Sequence, residues 1–155
     1  MNIKAIIWDL GGVLVRTEDR TSRNELASEL GIDPVKLEDL FFGDGLDLSI
    51  NPQVGGRTAE EHLKVVCEQV GYPTADWQTF RDRFFAGDVL DAALVDHIRS
   101  LKEDYHIALL SNAFDDLRFV LTNEWKILDL FDTVVISGEV GLKKPNPAIY
   151  ELTLE

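Results

Sequence analysis

Basic residues are scarce in this chain. Lys and Arg number 15 against 28 Asp and Glu, for a formal net charge of −13. Such a surface repels polyanions, which excludes non-specific binding to nucleic acid or anionic lipid. It also repels a small anionic substrate at long range, so any phosphate site needs locally concentrated donors. Cysteine is scarcer still: Cys67 stands alone, which excludes an internal disulfide framework. It lies in an apolar, helix-like stretch and reads as a buried, inert thiol, in keeping with a cytoplasmic protein. No apolar run approaches the roughly 20 residues that span a bilayer. The opening MNIKAIIWDL is too short an apolar run for a signal segment and has no small-residue cleavage site. A membrane partner is not expected. With 45% hydrophobic residues and few Pro or Gly, 155 residues suffice for one well-buried core.

Residues 3–8, Ile-Lys-Ala-Ile-Ile-Trp, are short, apolar, and rich in β-branched and aromatic side chains, the pattern of a buried strand closed by Asp-Leu-Gly-Gly. From there to about residue 90 the pattern is helical. Ser22 with Glu25, and Thr58 with Glu61, have capping-box spacing. Asp33-Pro34 opens a further helix, and Gly31, Gly43 and Gly71 mark stops. Trp77, Phe80, Phe84 and Phe85 fall at helical spacing and read as core. Residues 43–57 form a loop rich in Gly, Asp and Asn. Beyond Asp91 the periods alternate: a helix over 91–102, a strand over 106–110, a helix over 114–125, a strand over 133–136 and a helix from Ala148. Strand, helical insertion, then alternating helix and strand implies an α/β fold with a parallel sheet and a helical cap inserted after the first strand.

Ligands of such sheets bind beyond the carboxyl ends of the strands, and three loops leave strand ends here with chemically useful groups. Asp9 follows the first strand, and a carboxylate there can attack phosphorus or carbon to form a covalent intermediate that water resolves. Gly11 and Gly12 permit close backbone approach or positive φ. Ser111 and Asn112 close the second strand, where a hydroxyl, an amide and free N–H groups at a helix entry suit an anion. Lys144, set before Pro145, is biased to an extended backbone, and its ammonium suits charge developing on a transferred phosphoryl group. Each alone also describes a plain turn, a helix entry or a solvated lysine; the coincidence of all three carries the reading.

Taken in order, Ile6–Leu14 (IIWDLGGVL), Leu109–Asn112 (LLSN) and Gly141–Tyr150 (GLKKPNPAIY) resemble the first three motifs of the haloacid dehalogenase superfamily. The form is that of the subfamily with a helical cap between the first two motifs. The resemblance covers essentially the whole chain. It implies a Rossmann-like core of residues 1–16 and 91–155 with a cap of residues 17–90. It implies Asp9 as nucleophile, Lys144 stabilising charge, and Ser111, Asn112 and Gly12 contacting a small phosphate ester. It also implies Mg²⁺ held by the Asp9 carboxylate and the Gly11 carbonyl, for phosphomonoester hydrolysis through an aspartyl-phosphate.

Two departures stand out. Most phosphatases of the family carry a second aspartate two residues after the nucleophile, as general acid and base, where this chain has Gly11. The fourth motif, an acidic pair completing the metal site, is expected some tens of residues beyond Tyr150, and the sequence stops at Glu155. Asp115-Asp116 does not replace it and reads as a solvated first helical turn. The expectation is a C-terminally truncated core whose first strand is left as an apolar edge, inviting self-association. Two other readings follow: a metal-independent 2-haloacid dehalogenase, which also lacks the second aspartate, and a non-catalytic domain of the same fold. Substrate specificity is expected in residues 17–57, with Arg16, Arg20 and Arg57 as candidate contacts that also read as ordinary surface arginines.

Overall fold

Successive side chains of a strand point to opposite faces of its sheet, and the strands of this chain divide their apolar side chains between two faces. The computed structural model describes residues 3–155. Along the chain run β1 (Ala5–Trp8), β2 (Val15–Thr17), α1 (Thr21–Leu30), α2 (Pro34–Phe42), a 3₁₀ turn (Pro52–Val54), α3 (Ala59–Val70) and α4 (Trp77–Phe85). There follow β3 (Asp88–Leu90), α5 (Ala92–Leu101), β4 (His106–Ser111), α6 (Leu117–Phe119), β5 (Thr133–Ile136), α7 (Ser137–Val140) and α8 (Pro147–Leu154). β1, β4 and β5 form a parallel sheet in the order β1-β4-β5. The register sets Trp8 beside Leu109 and Leu109 beside Val134. Ile6, Trp8, Ile107, Leu109, Val134 and Ile136 turn to one face, packed under Val95 and Ile98 of α5 and Leu117 to Leu121. Ile7, Leu110 and Val135 turn to the other, met by Ile149 of α8 with Val140 and Leu142.

The helices between β2 and β3 build their own core. Leu26, Leu37, Phe41, Leu63, Val66, Phe80 and Phe84 are buried there, with the Phe41 and Phe84 rings stacked 3.7 Å apart. The aromatic stripe expected as core is core. Cys67 sits in the same cluster with its thiol pushed up to about 11 by burial, so it is an inert packing residue. Gly31, Gly43 and Gly71 end their helices in the left-handed conformation, and Asp33 and the Thr58–Glu61 box cap α2 and α3 as expected.

Three expectations need correction. Ser22 is not a cap: its hydroxyl donates to the Arg83 carbonyl of α4, and α1 starts at Thr21, two residues earlier than a Ser22 cap would set, with Asp19 accepting from the Thr21 N–H. The helix expected over 114–125 is only α6, continued by a π-helical stretch over Val120–Glu124, because Phe114 is drawn away into the helical cluster. Finally, β2 and β3 pair antiparallel, Val15 beside Leu90, as a ribbon at the two ends of the helical segment. Three-residue strands are too short for period two to show in the sequence. Buried Arg23 ties this ribbon to the helices. It donates to the Phe84 carbonyl at 3.1 Å, to Glu38 at 3.1 Å and to Asp88 at 3.3 Å, and its guanidinium lies 4.0 Å over the Phe84 ring.

Candidate active site

Parallel strands place their carboxyl ends on one side of the sheet, and the register sets Asp9, one residue past β1, level with Leu110 of β4. Asp9 is thereby a residue or two from Ser111 and Asn112 on the neighbouring strand. The Asp9 side chain is 45% exposed, and its Oδ1 accepts from Lys144 Nζ at 2.7 Å and from the Leu10 N–H at 2.8 Å. Asp9 is half-exposed, although the Lys144 side chain is only 19% exposed; the consequence of the pair is orientation, with Oδ1 held by two donors at once.

Lys144 is set from two directions. Its backbone N–H donates to Asn112 Oδ1 at 2.8 Å, and its carbonyl accepts from Asn112 Nδ2 at 3.2 Å. Its ammonium also donates to the Leu110 carbonyl at 3.1 Å. The Lys144–Pro145 peptide is cis. Asn112 thus spends its amide on the lysine backbone, a role the sequence reading did not give it. Ser111 is buried at the end of β4 and takes no part in that pairing.

The turn after Asp9 depends on Gly12, whose φ of +77° suits glycine. The Gly12 N–H donates to the Val15 carbonyl at 2.8 Å, and Val13 and Val15 both donate to the Leu10 carbonyl. The Gly11 carbonyl accepts none of the hydrogen bonds that close this turn. At Gly11 the backbone is ordinary and an added Cβ would meet nothing within 4 Å.

Among the described residues no group of three or more His, Cys, Asp or Glu is assembled to hold a metal. Asp9 Oδ2 and the Gly11 carbonyl are hard oxygen donors of the kind that bind Mg²⁺ alongside water and substrate phosphate. A groove of about 590 Å³ lined by Arg118, Thr122, Lys126, Phe131 and Val134 lies towards the amino end of β5, at the opposite pole from Asp9.

Arg16 and Arg20 are committed to Asp91 and Glu38, at 2.7 and 2.8 Å, while Arg57 enters no ion pair among the described residues. Asp115 and Asp116 are not a solvated first turn. Asp115 Oδ1 accepts from the Ala59 N–H at the start of α3 (2.8 Å), and Asp116 meets Arg81 Nε of α4 at 3.1 Å. Burial raises the Asp116 carboxyl, with Arg81 pulling it back. Ser137 was also missed. It is fully buried, and its Oγ accepts from the Ala113 N–H at 3.0 Å and donates to the Ala113 carbonyl at 3.2 Å. Only the Asp-Asp doublet left a trace in the sequence; a lone serine after a strand left none.

A sequence model of the family described as haloacid dehalogenase-like hydrolase matches residues 3–155. The D-ribitol-5-phosphate phosphatase of Bacteroides thetaiotaomicron is 27% identical over 163 aligned positions, covering 99% of this chain and 76% of that protein. The pyrimidine 5'-nucleotidase YjjG of Escherichia coli is 34% identical over 58 residues, 37% of this chain and only 26% of that protein. A haloacid dehalogenase family enzyme of Bacteroides thetaiotaomicron, solved with magnesium and inorganic phosphate, superposes with a TM-score of 0.73 at 26% identity. That superposition covers 97% of this chain and 77% of the other. The chain therefore spans about three quarters of the phosphatase it matches along its length.

Proposed function

Because the chain belongs to the haloacid dehalogenase-like hydrolases, we propose that it is a magnesium-dependent phosphatase of a small phosphomonoester with Asp9 as its nucleophile. One observation carries this reading: Lys144 Nζ stands 2.7 Å from Asp9 Oδ1, with the lysine backbone clasped by Asn112. An ammonium held there offsets the repulsion between a carboxylate and an incoming phosphate, and then the charge that develops on the phosphoryl oxygens. Asp9 attacks phosphorus, the ester P–O bond breaks, and the leaving oxygen takes a proton from solvent as the alcohol departs. Water then cleaves the aspartyl-phosphate, releasing inorganic phosphate and restoring the carboxylate. Ser111 and Asn112 lie beside the phosphoryl position, and Gly12 contributes the shape of the turn. Mg²⁺, held by Asp9 Oδ2 and the Gly11 carbonyl, would supply further neutralisation of phosphate charge. Residues 17–90 act as the cap over a core of residues 1–16 and 91–155, a division supported by the β2–β3 ribbon at the boundary.

The names of the two relatives direct the substrate panel to polyol phosphates, sugar phosphates and nucleoside monophosphates. Magnesium-dependent phosphate release that disappears in Asp9→Asn is the expected result. Halide release from a 2-haloacid without magnesium would replace the proposal with the dehalogenase reading. Absence of turnover, together with unchanged melting in Mg²⁺ and phosphate, would replace it with a non-catalytic role, the reading favoured by Gly11 and by the lack of an acidic cluster among the described residues.

A further inference from the structure

The stretch from Ser111 to Asp116 belongs to two places at once. Ser111 and Asn112 border Asp9 and Lys144. Two residues later Phe114 is buried in the core of the helical segment, its ring 6.1 Å from Phe41 and 5.7 Å from the His62 ring. Asp115 then accepts from the first N–H of α3, and Asp116 pairs with Arg81 of α4. Beneath this stretch Ala113 is gripped by Ser137, and the Gly138 N–H donates to the Ala113 carbonyl at 3.0 Å. A Cβ on Gly138 would fall 2.8 Å from that carbonyl and 2.9 Å from the Asp115 nitrogen. On its other side the Gly138 carbonyl would lie 2.7 Å from a Cβ on Gly55. Three segments therefore meet backbone to backbone: the 51–56 loop of the helical segment, Gly138 in the first turn of α7 and the loop after β4. None of these backbone contacts is made by a residue of the β2–β3 ribbon.

We propose that Phe114, Asp115 and Asp116 form a second attachment that locks the helical segment to the core and, through Asn112, sets Lys144 upon Asp9. The physical basis is continuity. Asn112 is two bonded residues from the Phe114 pin, and it holds both the N–H and the carbonyl of Lys144. Displacing the helical segment pulls on Phe114, Asp115 and Asp116 together, and this drags the Asn112 amide off the lysine. The three are positioning residues; none touches the reacting atoms. The inference extends the phosphatase reading to what holds the site in register, but the coupling itself is measurable without turnover.

The test compares Asp115→Ala and Arg81→Ala, each cutting one polar contact of the attachment, with Thr58→Ala. The last removes the side-chain cap of the same α3 terminus while keeping the Ala59 N–H that Asp115 accepts. The readouts are the Asn112 side-chain amide signals in a nitrogen–proton NMR spectrum and titration with inorganic phosphate in Mg²⁺. Asp115→Ala and Arg81→Ala are expected to shift or broaden the Asn112 signals and to weaken phosphate binding about three- to tenfold. Thr58→Ala, at a comparable loss of Tm, is expected to leave both alone. Unmoved Asn112 signals in the two attachment variants, or equal movement in Thr58→Ala, would overturn the coupling. If the unaltered protein binds no phosphate, the phosphatase reading fails while the NMR comparison still decides the attachment.

Discussion

At the scale of single residues, Gly11 lies two positions after Asp9 in the turn that leaves β1. Its backbone conformation is open to any residue, and a Cβ there meets nothing within 4 Å. Gly11→Asp should fold normally and place a carboxyl two residues from Asp9, the proposed nucleophile. A general acid and base is worth roughly 10²–10⁴-fold, so kcat for a poorly leaving alcohol should rise towards that range. Little gain is expected for an aryl phosphate, whose leaving group needs no proton, and an equal gain on both substrates would contradict this account. His62 makes a different prediction. Its Nε2 donates to the Phe41 and Leu40 carbonyls at the end of α2, while Nδ1 is buried without a partner among the described residues, and burial holds its pKa below the ordinary 6.5. The unfolded chain therefore binds this proton more readily, so the stability His62 gives is complete above about 6.5 and drains away as pH falls below it. Urea midpoints should drop from pH 7.5 to about 5.5, above the range in which ordinary carboxylates titrate. His62→Gln, which keeps a donor for the carbonyls, should flatten that drop.

At the scale of elements, the ribbon and helices are joined through one guanidinium. Arg23 binds α2 through Glu38, β3 through Asp88 and the end of α4 through the Phe84 carbonyl. Arg23→Ala removes the shared donor, although Glu38 keeps Arg20 and Asp88 keeps the Thr17 hydroxyl, and a loss of about 1.5–3 kcal/mol is expected in chemical denaturation. Arg23→Lys should recover only part, since an ammonium cannot span three acceptors in the guanidinium plane. Which elements were legible in the sequence follows from how local their causes are. Thr58–Glu61 and Asp33-Pro34 are helix starts written within a few residues, and β1, β4 and β5 are apolar runs long enough to register. Ser22 misled because cap spacing says nothing of a carbonyl that arrives from Arg83, sixty-one residues away. The ribbon and the attachments of Asp115 and Asp116 rest on tertiary partners, so nothing in the local pattern announces them. The same contrast holds at the site: Asp9, Ser111, Asn112 and Lys144 stood out by position at strand ends, whereas the clasp of Asn112 on the Lys144 backbone required the loops to be folded.

At the scale of the whole molecule, net charge and sheet edges dominate. A charge of −13 on 155 residues makes the compact state repel itself. Raising ionic strength from about 0.05 to 0.5 M shortens the screening length from about 14 to about 4 Å. Tm should therefore rise, and KM for a phosphate ester should fall over the lower part of that range; a flat Tm would mean that the acidic residues are already neutralised pairwise. The two edges of the parallel sheet differ. On β5 the Arg118 guanidinium donates to the Val134 carbonyl and pairs with Glu139, placing a charge against the strand. On β1 no side chain among the described residues bonds the outward backbone. Concentration-dependent sedimentation is the expected behaviour, and one unchanging monomer across a hundredfold range of concentration would refute it. The pairing of β1 with β4 also bears on the order in which the chain folds. Ala5 meets His106 across about a hundred intervening residues, a closure that is entropically slow for an open chain. The helical segment between β2 and β3 has nearby partners, and once Val15 lies against Leu90 most of that loop is already closed. The order that follows is helices first, ribbon next and the sheet last. The geometry around Asp9 would then be completed only when a nascent chain has released everything through Lys144.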